Sequence, residues 1–191
     1  PPTHIALVTG ATSGFGEAVA RRLVGWGWRV IGNGRRADRL EALASELGAT
    51  HFLPMLADVR NRAEVEAAWQ NIPEEWKQVD FLLNNAGLAR GMSPFDSGEV
   101  SDWEEMIDTN LKGLLYISRL VAPGMRQRGR GHIINVGSTA GKETYPNGNV
   151  YCATKHAVDA LTRCMRLDLM GSGVKVGAIH PGAAETEFSL V

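Results

Sequence analysis

Cysteine, long apolar runs and any excess of one charge are all scarce in this chain, and each scarcity closes off a class of protein. The two cysteines, Cys152 and Cys164, stand twelve residues apart. On one helix that separation is about 18 Å along the axis, far beyond disulfide reach. A disulfide-built secreted fold is excluded, and the free thiols read as a cytoplasmic setting. No apolar run approaches the ~20 residues of a membrane span. No basic segment with a cleavage site precedes the first apolar run, Ile5-Ala6-Leu7-Val8, which argues against secretion. Net charge is −1 with both signs mixed along the chain, so neither nucleic acid nor a membrane surface is an expected partner. The five histidines show no metal-ligand spacing, and no metal is expected.

What is present is a globular composition. Across 191 residues, 44% are apolar and 21% charged, enough for one domain with a sizeable core and short for two. Internal repeats and low-complexity segments are absent, so residues 1–191 are expected to form a single domain.

The run Ile5-Ala6-Leu7-Val8-Thr9 predicts a buried strand, and Gly10-Ala11-Thr12-Ser13-Gly14-Phe15-Gly16 follows it. Ala18, Val19, Leu23 and Val24 then recur at helical spacing. Strand, glycine turn and helix together bring backbone N–H groups and a helix N-terminus up to a phosphate. Side chains at the glycines would block that approach or forbid the turn. A second strand over 28–32 ends in Asn33-Gly34-Arg35-Arg36. An acid there would suit the ribose 2′-hydroxyl of NAD, whereas Arg35 and Arg36 suit a 2′-phosphate. The plainer alternative is two solvated arginines opening a helix over 39–47, helped by Asp38.

A third strand over 51–56 leads to Asp58-Val59. The Asp58 carboxylate could accept from an adenine amino group, or cap a helix over 61–71. A fourth strand over 79–83 closes in Asn84-Asn85-Ala86-Gly87, where small residues permit a cofactor near the backbone. A long helix is expected over 101–126, with Asn110 inside it, where an amide competes with the backbone and needs a reason. A fifth strand over 131–137 delivers Ser138, and a sixth over 174–179 ends at His180-Pro181-Gly182. Strands alternate with helices throughout. The expected fold is therefore α/β: a doubly wound parallel sheet, Rossmann-like, in three α/β/α layers. Ligands of such sheets bind outside the carboxyl ends of the strands, where these residues converge.

Tyr151 and Lys155 stand four apart, on one face of an expected helix over 149–170. An ammonium beside a phenol favours the phenolate, whose pKa is about 10 in water. A hydroxyl from Ser138 could hold the oxygen that Tyr151 protonates or deprotonates. Arg90, in the loop over 88–98, could take a substrate carboxylate with both guanidinium nitrogens; Lys142 is a rival cation, and a solvated loop residue the alternative. Apolar positions Leu114, Tyr116, Leu120, Val158 and Leu161 exceed what one sheet face buries, so a homo-oligomer is expected.

Thr9-Gly10-x-x-x-Gly14-x-Gly16, Asn84-Asn85-Ala86-Gly87, Asn110, Ser138, Tyr151-x-x-x-Lys155 and Pro181-Gly182-x-x-x-Thr186 occur in one order. With them the chain resembles the short-chain dehydrogenase/reductase family over essentially its whole length. Gly34-Arg35-Arg36 and Gly137-Ser138-Thr139-Ala140-Gly141 are similar to its NADP-dependent 3-hydroxy acid (serine 3-) dehydrogenase branch. The resemblance implies that Tyr151 is the general acid/base and that Ser138 binds the substrate oxygen. Lys155 would hold the nicotinamide ribose and lower the Tyr151 pKa, and Asn110 would order a water in a proton relay. Cofactor contacts would come from Gly10, Thr12, Ser13, Gly14, Phe15 and Gly16, then Arg35, Arg36, Asp58, Val59, Asn84 and Ala86. Tyr151, Lys155, Pro181, Gly182 and Thr186 would complete them, with Thr186 at the carboxamide. The implied activity is NADP(H)-dependent hydride transfer on a small 3-hydroxy or 3-oxo acid, by a tetramer. Reduction of another carbonyl (ketone, aldehyde or 3-oxoacyl thioester) and a nucleotide-binding redox sensor are the alternatives. Family members usually run further, through a substrate-covering lid and a last strand, both expected to be absent from this chain.

Overall fold

A computed structural model describes residues 4–182. Six strands form one parallel sheet: β1 (Ile5–Val8), β2 (Arg29–Gly34), β3 (Phe52–Leu56), β4 (Phe81–Asn84), β5 (Gly131–Val136) and β6 (Val174–Ile179). Their order is β3-β2-β1-β4-β5-β6, and every neighbouring pair is parallel. The order reverses between β1 and β4, which is where such a sheet opens a crevice at its carboxyl edge.

Alternation along β1 sorts the core into two halves. Ala6 and Val8 pack with Ala20 and Leu23 of α1 (Gly14–Gly25) and Leu40 and Leu43 of α2 (Ala37–Leu47). Ile5 and Leu7 join the opposite cluster, with Val65 of α3 (Arg62–Gln70). Ile117, Val121 and Met125 of the helix after β4 complete that side. Strands with both faces covered must be apolar nearly throughout, and β1 is fully buried. The three expected layers are present.

Three local expectations change. β2 runs two residues further than predicted, because Asn33 replaces outward solvation with bonds from Nδ2 to the Met55 and Ala57 carbonyls. Asn61, not Asp58, caps α3, accepting from the Ala63 and Glu64 amides. The long helix is three pieces in register: α4 (Val100–Ile107), a π-helical turn (Asp108–Gly113) and α5 (Leu114–Arg128). Such widened turns commonly mark functional positions. Here the turn presents Asn110 inward and Gly113 to Val59, where a Cβ would come 2.8 Å from the Val59 Cγ2. The last helix, α6, spans Asn149–Asp168.

The apolar surplus is smaller than the sequence suggested. Leu114 and Val158 are buried, while Tyr116, Leu120 and Leu161 are half-buried; Ile107, Leu115 and, on α6, Leu167 are exposed. Among the described residues, no helix is long and apolar enough to cross a membrane.

Candidate active site

Gly10 and Gly14 take φ of +63° and +53°, a region costly for residues with a Cβ. At Gly10 a side chain would also approach Asn85 Nδ2 to 2.9 Å. Gly16 has a different reason: its Cβ would collide with the Gly10 carbonyl oxygen, so it lets α1 close on the turn rather than a ligand approach. Ser13 starts α1 without a side-chain cap, leaving first-turn N–H donors for an anion. Across the switch point Thr9 Oγ1 accepts from the Asn85 and Ala86 amides, each at 2.9 Å. The Asn85 side chain returns two bonds, to the Thr9 and Gly10 carbonyls. The loops after β1 and β4 are thereby joined into one wall.

That wall borders a cleft of about 800 Å³, lined also by Ser138, Tyr151, Lys155, Pro181 and Gly182. Its far end is polar and positive. Arg36 donates to Thr12 Oγ1 at 3.0 Å, and Arg35 lines the cleft with its side chain half exposed. Asp58 and Val59 line the same end. Burial alone would push the Asp58 carboxyl up, but the bonds and charge of Arg60, helped by Arg35, outweigh it and hold it below its ordinary value.

At the other end Ser138 and Tyr151 line the cleft together, and the Ser138 hydroxyl favours the Tyr151 phenolate. Ser138 Oγ also accepts from the Ala140 amide at 3.1 Å, which fixes its rotamer at the end of β5. Lys155 is buried and donates from Nζ to the Val136 carbonyl at 3.0 Å. Burial pushes its ammonium down to about 8. It lies 5.8 Å from the Tyr151 ring centroid. The phenol is not lowered as expected: burial raises it, and the nearby Ser138 hydroxyl offsets this only in part. Desolvation outweighs the Ser138 hydroxyl, and Cys152 adds to the rise.

Asn110 is buried behind the cleft instead of lining it. Its Nδ2 donates to the Leu88 carbonyl and Thr154 Oγ1, and its Oδ1 accepts from the Leu88 amide. The buried amide thus ties the loop after β4 to α6, which is the reason its presence in a helix required.

Three sequence-based placements are corrected. Asn84 does not line the cleft; its Nδ2 donates inward to Ser118 Oγ and Asn135 Oδ1, and Asn85 takes the place beside the glycine turn. Arg90 lines the cleft, but its Nε is bonded to Glu105 at 3.0 Å, on the carboxylate that also holds Arg60 and pairs with Arg35. It shares Glu105 with Arg35. Lys142 pairs with Asp159 at 2.7 Å. Glu105 itself escaped the sequence reading, since nothing local marks an acid whose partners lie 15 and 45 positions away. Tyr145, which no sequence motif singles out, also lines the cleft beside Tyr151, from the loop before α6. Thr186 lies outside the described residues.

The residues fit the implied dinucleotide. Uncapped N–H donors suit a pyrophosphate, two arginines at the β2 end suit a 2′-phosphate, and Ser138 with Tyr151 faces the opposite end. The chain matches the family described as short chain dehydrogenase over residues 4–190. It is 54% identical over 188 residues to an NADP-dependent 3-hydroxy acid dehydrogenase, YdfG, of Salmonella typhi, covering 98% of this chain and 75% of that protein. Identity to a serine 3-dehydrogenase of Agrobacterium fabrum is 46% over 185 residues, covering 97% and 74%. The solved closed form of a serine dehydrogenase complexed with NADP+ superposes with a TM-score of 0.94 at 52% identity, over 97% of this chain and 75% of that one.

Proposed function

The chain belongs to the short-chain dehydrogenase family, and from that premise we propose an NADP(H)-dependent oxidoreductase acting on a small 3-hydroxy acid or its 3-oxo counterpart, with Tyr151 as general acid/base. The observation that carries the assignment of residues is that Ser138, Tyr151 and buried Lys155, one helical turn on from Tyr151, line one cleft with the glycine turn. Bound NADP supplies or accepts the hydride. The protein supplies the rest. Ser138 Oγ holds the substrate oxygen, and Tyr151 Oη gives it a proton in reduction or takes one in oxidation. Lys155, buried and held at the Val136 carbonyl, is assigned to the nicotinamide ribose, and Asn110 to a water at the back of the site. Arg35 and Arg36 are assigned to the 2′-phosphate. Pro181 and Gly182 close the nicotinamide side.

The test is Tyr151→Phe, which keeps the ring and removes the proton. Turnover is expected to fall by about 10²-fold or more with NADP affinity retained. A Phe variant with near wild-type turnover would remove Tyr151 from the mechanism.

One observation favours a second substrate class, a neutral ketone, aldehyde or 3-oxoacyl thioester. The two cations expected to receive an acid are both engaged, Arg90 with Glu105 and Lys142 with Asp159. Turnover with NADP on serine or a 3-hydroxy acid, against a secondary alcohol and a 3-oxoacyl thioester, separates the two. We further propose a homo-oligomer, a tetramer, in the cytoplasm; exposed Ile107 and Leu115 support the assembly, and the free thiols the compartment.

A further inference from the structure

Glu105 sits on α4, outside the glycine turn and outside the Ser138–Tyr151–Lys155 group, yet it receives three guanidinium groups. Its Oε1 accepts from Arg60 at 2.8 Å and lies 3.7 Å from Arg35; its Oε2 accepts from Arg90 at 3.0 Å. The three contacts are unequal. Arg60 and Arg90 are hydrogen-bonded and about one-third exposed, whereas Arg35 is half exposed and held by charge alone. Arg35 also lines the cleft, so it is the member free to turn to an incoming dianion.

Arg90 continues the connection. It stands two residues past Leu88, which is pinned by Asn110, and three before Ser93, whose carbonyl accepts from Asn149 Nδ2 at 3.0 Å. Asn149 opens α6, two residues before Tyr151. The stretch from Arg90 to Ser93 therefore joins the Arg35 end of the cleft to the start of the helix bearing Tyr151.

We propose that Glu105 is a positioning residue that couples recognition of the cofactor's 2′-phosphate to the order of residues 88–93. When Arg35 turns to the phosphate, Glu105 is left to Arg60 and Arg90, and its attraction for Arg90 is no longer shared. The loop is then held more firmly at Arg90. Linkage makes the effect reciprocal, so an ordered loop strengthens binding of the phosphorylated ribose. The inference rests on Arg35 and Arg36 as the 2′-phosphate ligands, and its test separates the two.

Amide hydrogen exchange is followed over residues 88–93 in the wild-type protein saturated with 2′,5′-ADP or with 5′-ADP. The 2′-phosphate is expected to slow exchange a further two- to fivefold or so, the scale of one partly exposed ion pair. In Glu105→Gln the extra slowing disappears, while the protection given by 5′-ADP stays and reports a folded site. Arg90→Gln cuts the same link from the loop side and loses the extra slowing too. Equal protection by both nucleotides in the wild type overturns the coupling, as does extra slowing that survives in both variants. Equal affinity for the two nucleotides overturns the Arg35 and Arg36 assignment instead, and the coupling falls with it.

Discussion

Replacing Lys155 by Met removes a buried charge and keeps most of the side-chain volume, so its effect on stability is calculable and has a sign. Burial moves the folded-state pKa from 10.5 to about 8. At about 1.4 kcal/mol per pH unit, ionising this group inside the folded protein costs ~3 kcal/mol. Below about pH 8 the folded and unfolded chains both carry the proton, and the full cost is present. Between about 8 and 10.5 the unfolded chain still holds its proton while the folded chain has released it, so this contribution raises stability with pH. Above 10.5 both are neutral and the cost is gone. Met carries no such charge at any pH. Its one pH-independent penalty is the Val136 carbonyl, which loses the bond now made at 3.0 Å. Urea unfolding of both proteins, nucleotide-free, from pH 7 to pH 10 supplies the difference. Lys155→Met is expected to be relatively most stable at pH 7–8. Its advantage should shrink above pH 8 by up to ~1.4 kcal/mol per unit, whatever the constant offset. A difference that does not vary with pH would show that Lys155 keeps an ordinary pKa in the fold, and the reasoning from burial would be refuted.

Arg35→Ala with Arg36→Ala should erase most of the preference for NADP over NAD. Charge-assisted bonds of roughly 1.5–3 kcal/mol correspond to about one to two decades in kcat/KM, and an unmodified enzyme that already prefers NAD would contradict the assignment. Sedimentation at micromolar concentration should give a multiple of the 20.7 kDa chain mass, and a monomeric value would count against the oligomer.

Much of the fold was legible because its determinants are local. A strand leading through a glycine turn to a helix is set by a short apolar run, positive-φ positions and helical periodicity within one stretch of chain. Tyr151 and Lys155 could be paired on paper because a helix repeats every 3.6 residues. The alternation of strands and helices then dictated a parallel sheet, and with it the edge where the candidate residues meet. Register and approach were not legible, because they depend on which elements pack together. Asn84 and Asn85 are indistinguishable in sequence, yet β4 turns one into the core toward Ser118 and the other toward Gly10. The π-helical turn has no periodicity to announce it and is held by what Asn110 reaches on two other segments, Leu88 and Thr154. Arg90 reads as an unpaired cation until α4 brings Glu105 to it, and Glu105 reads as an ordinary helix acid until Arg60 arrives from 45 positions away. The depressed pKa of Lys155 belongs wholly to the folded state. A sequence names the ionisable group; only the packed helices around it decide how much water it keeps.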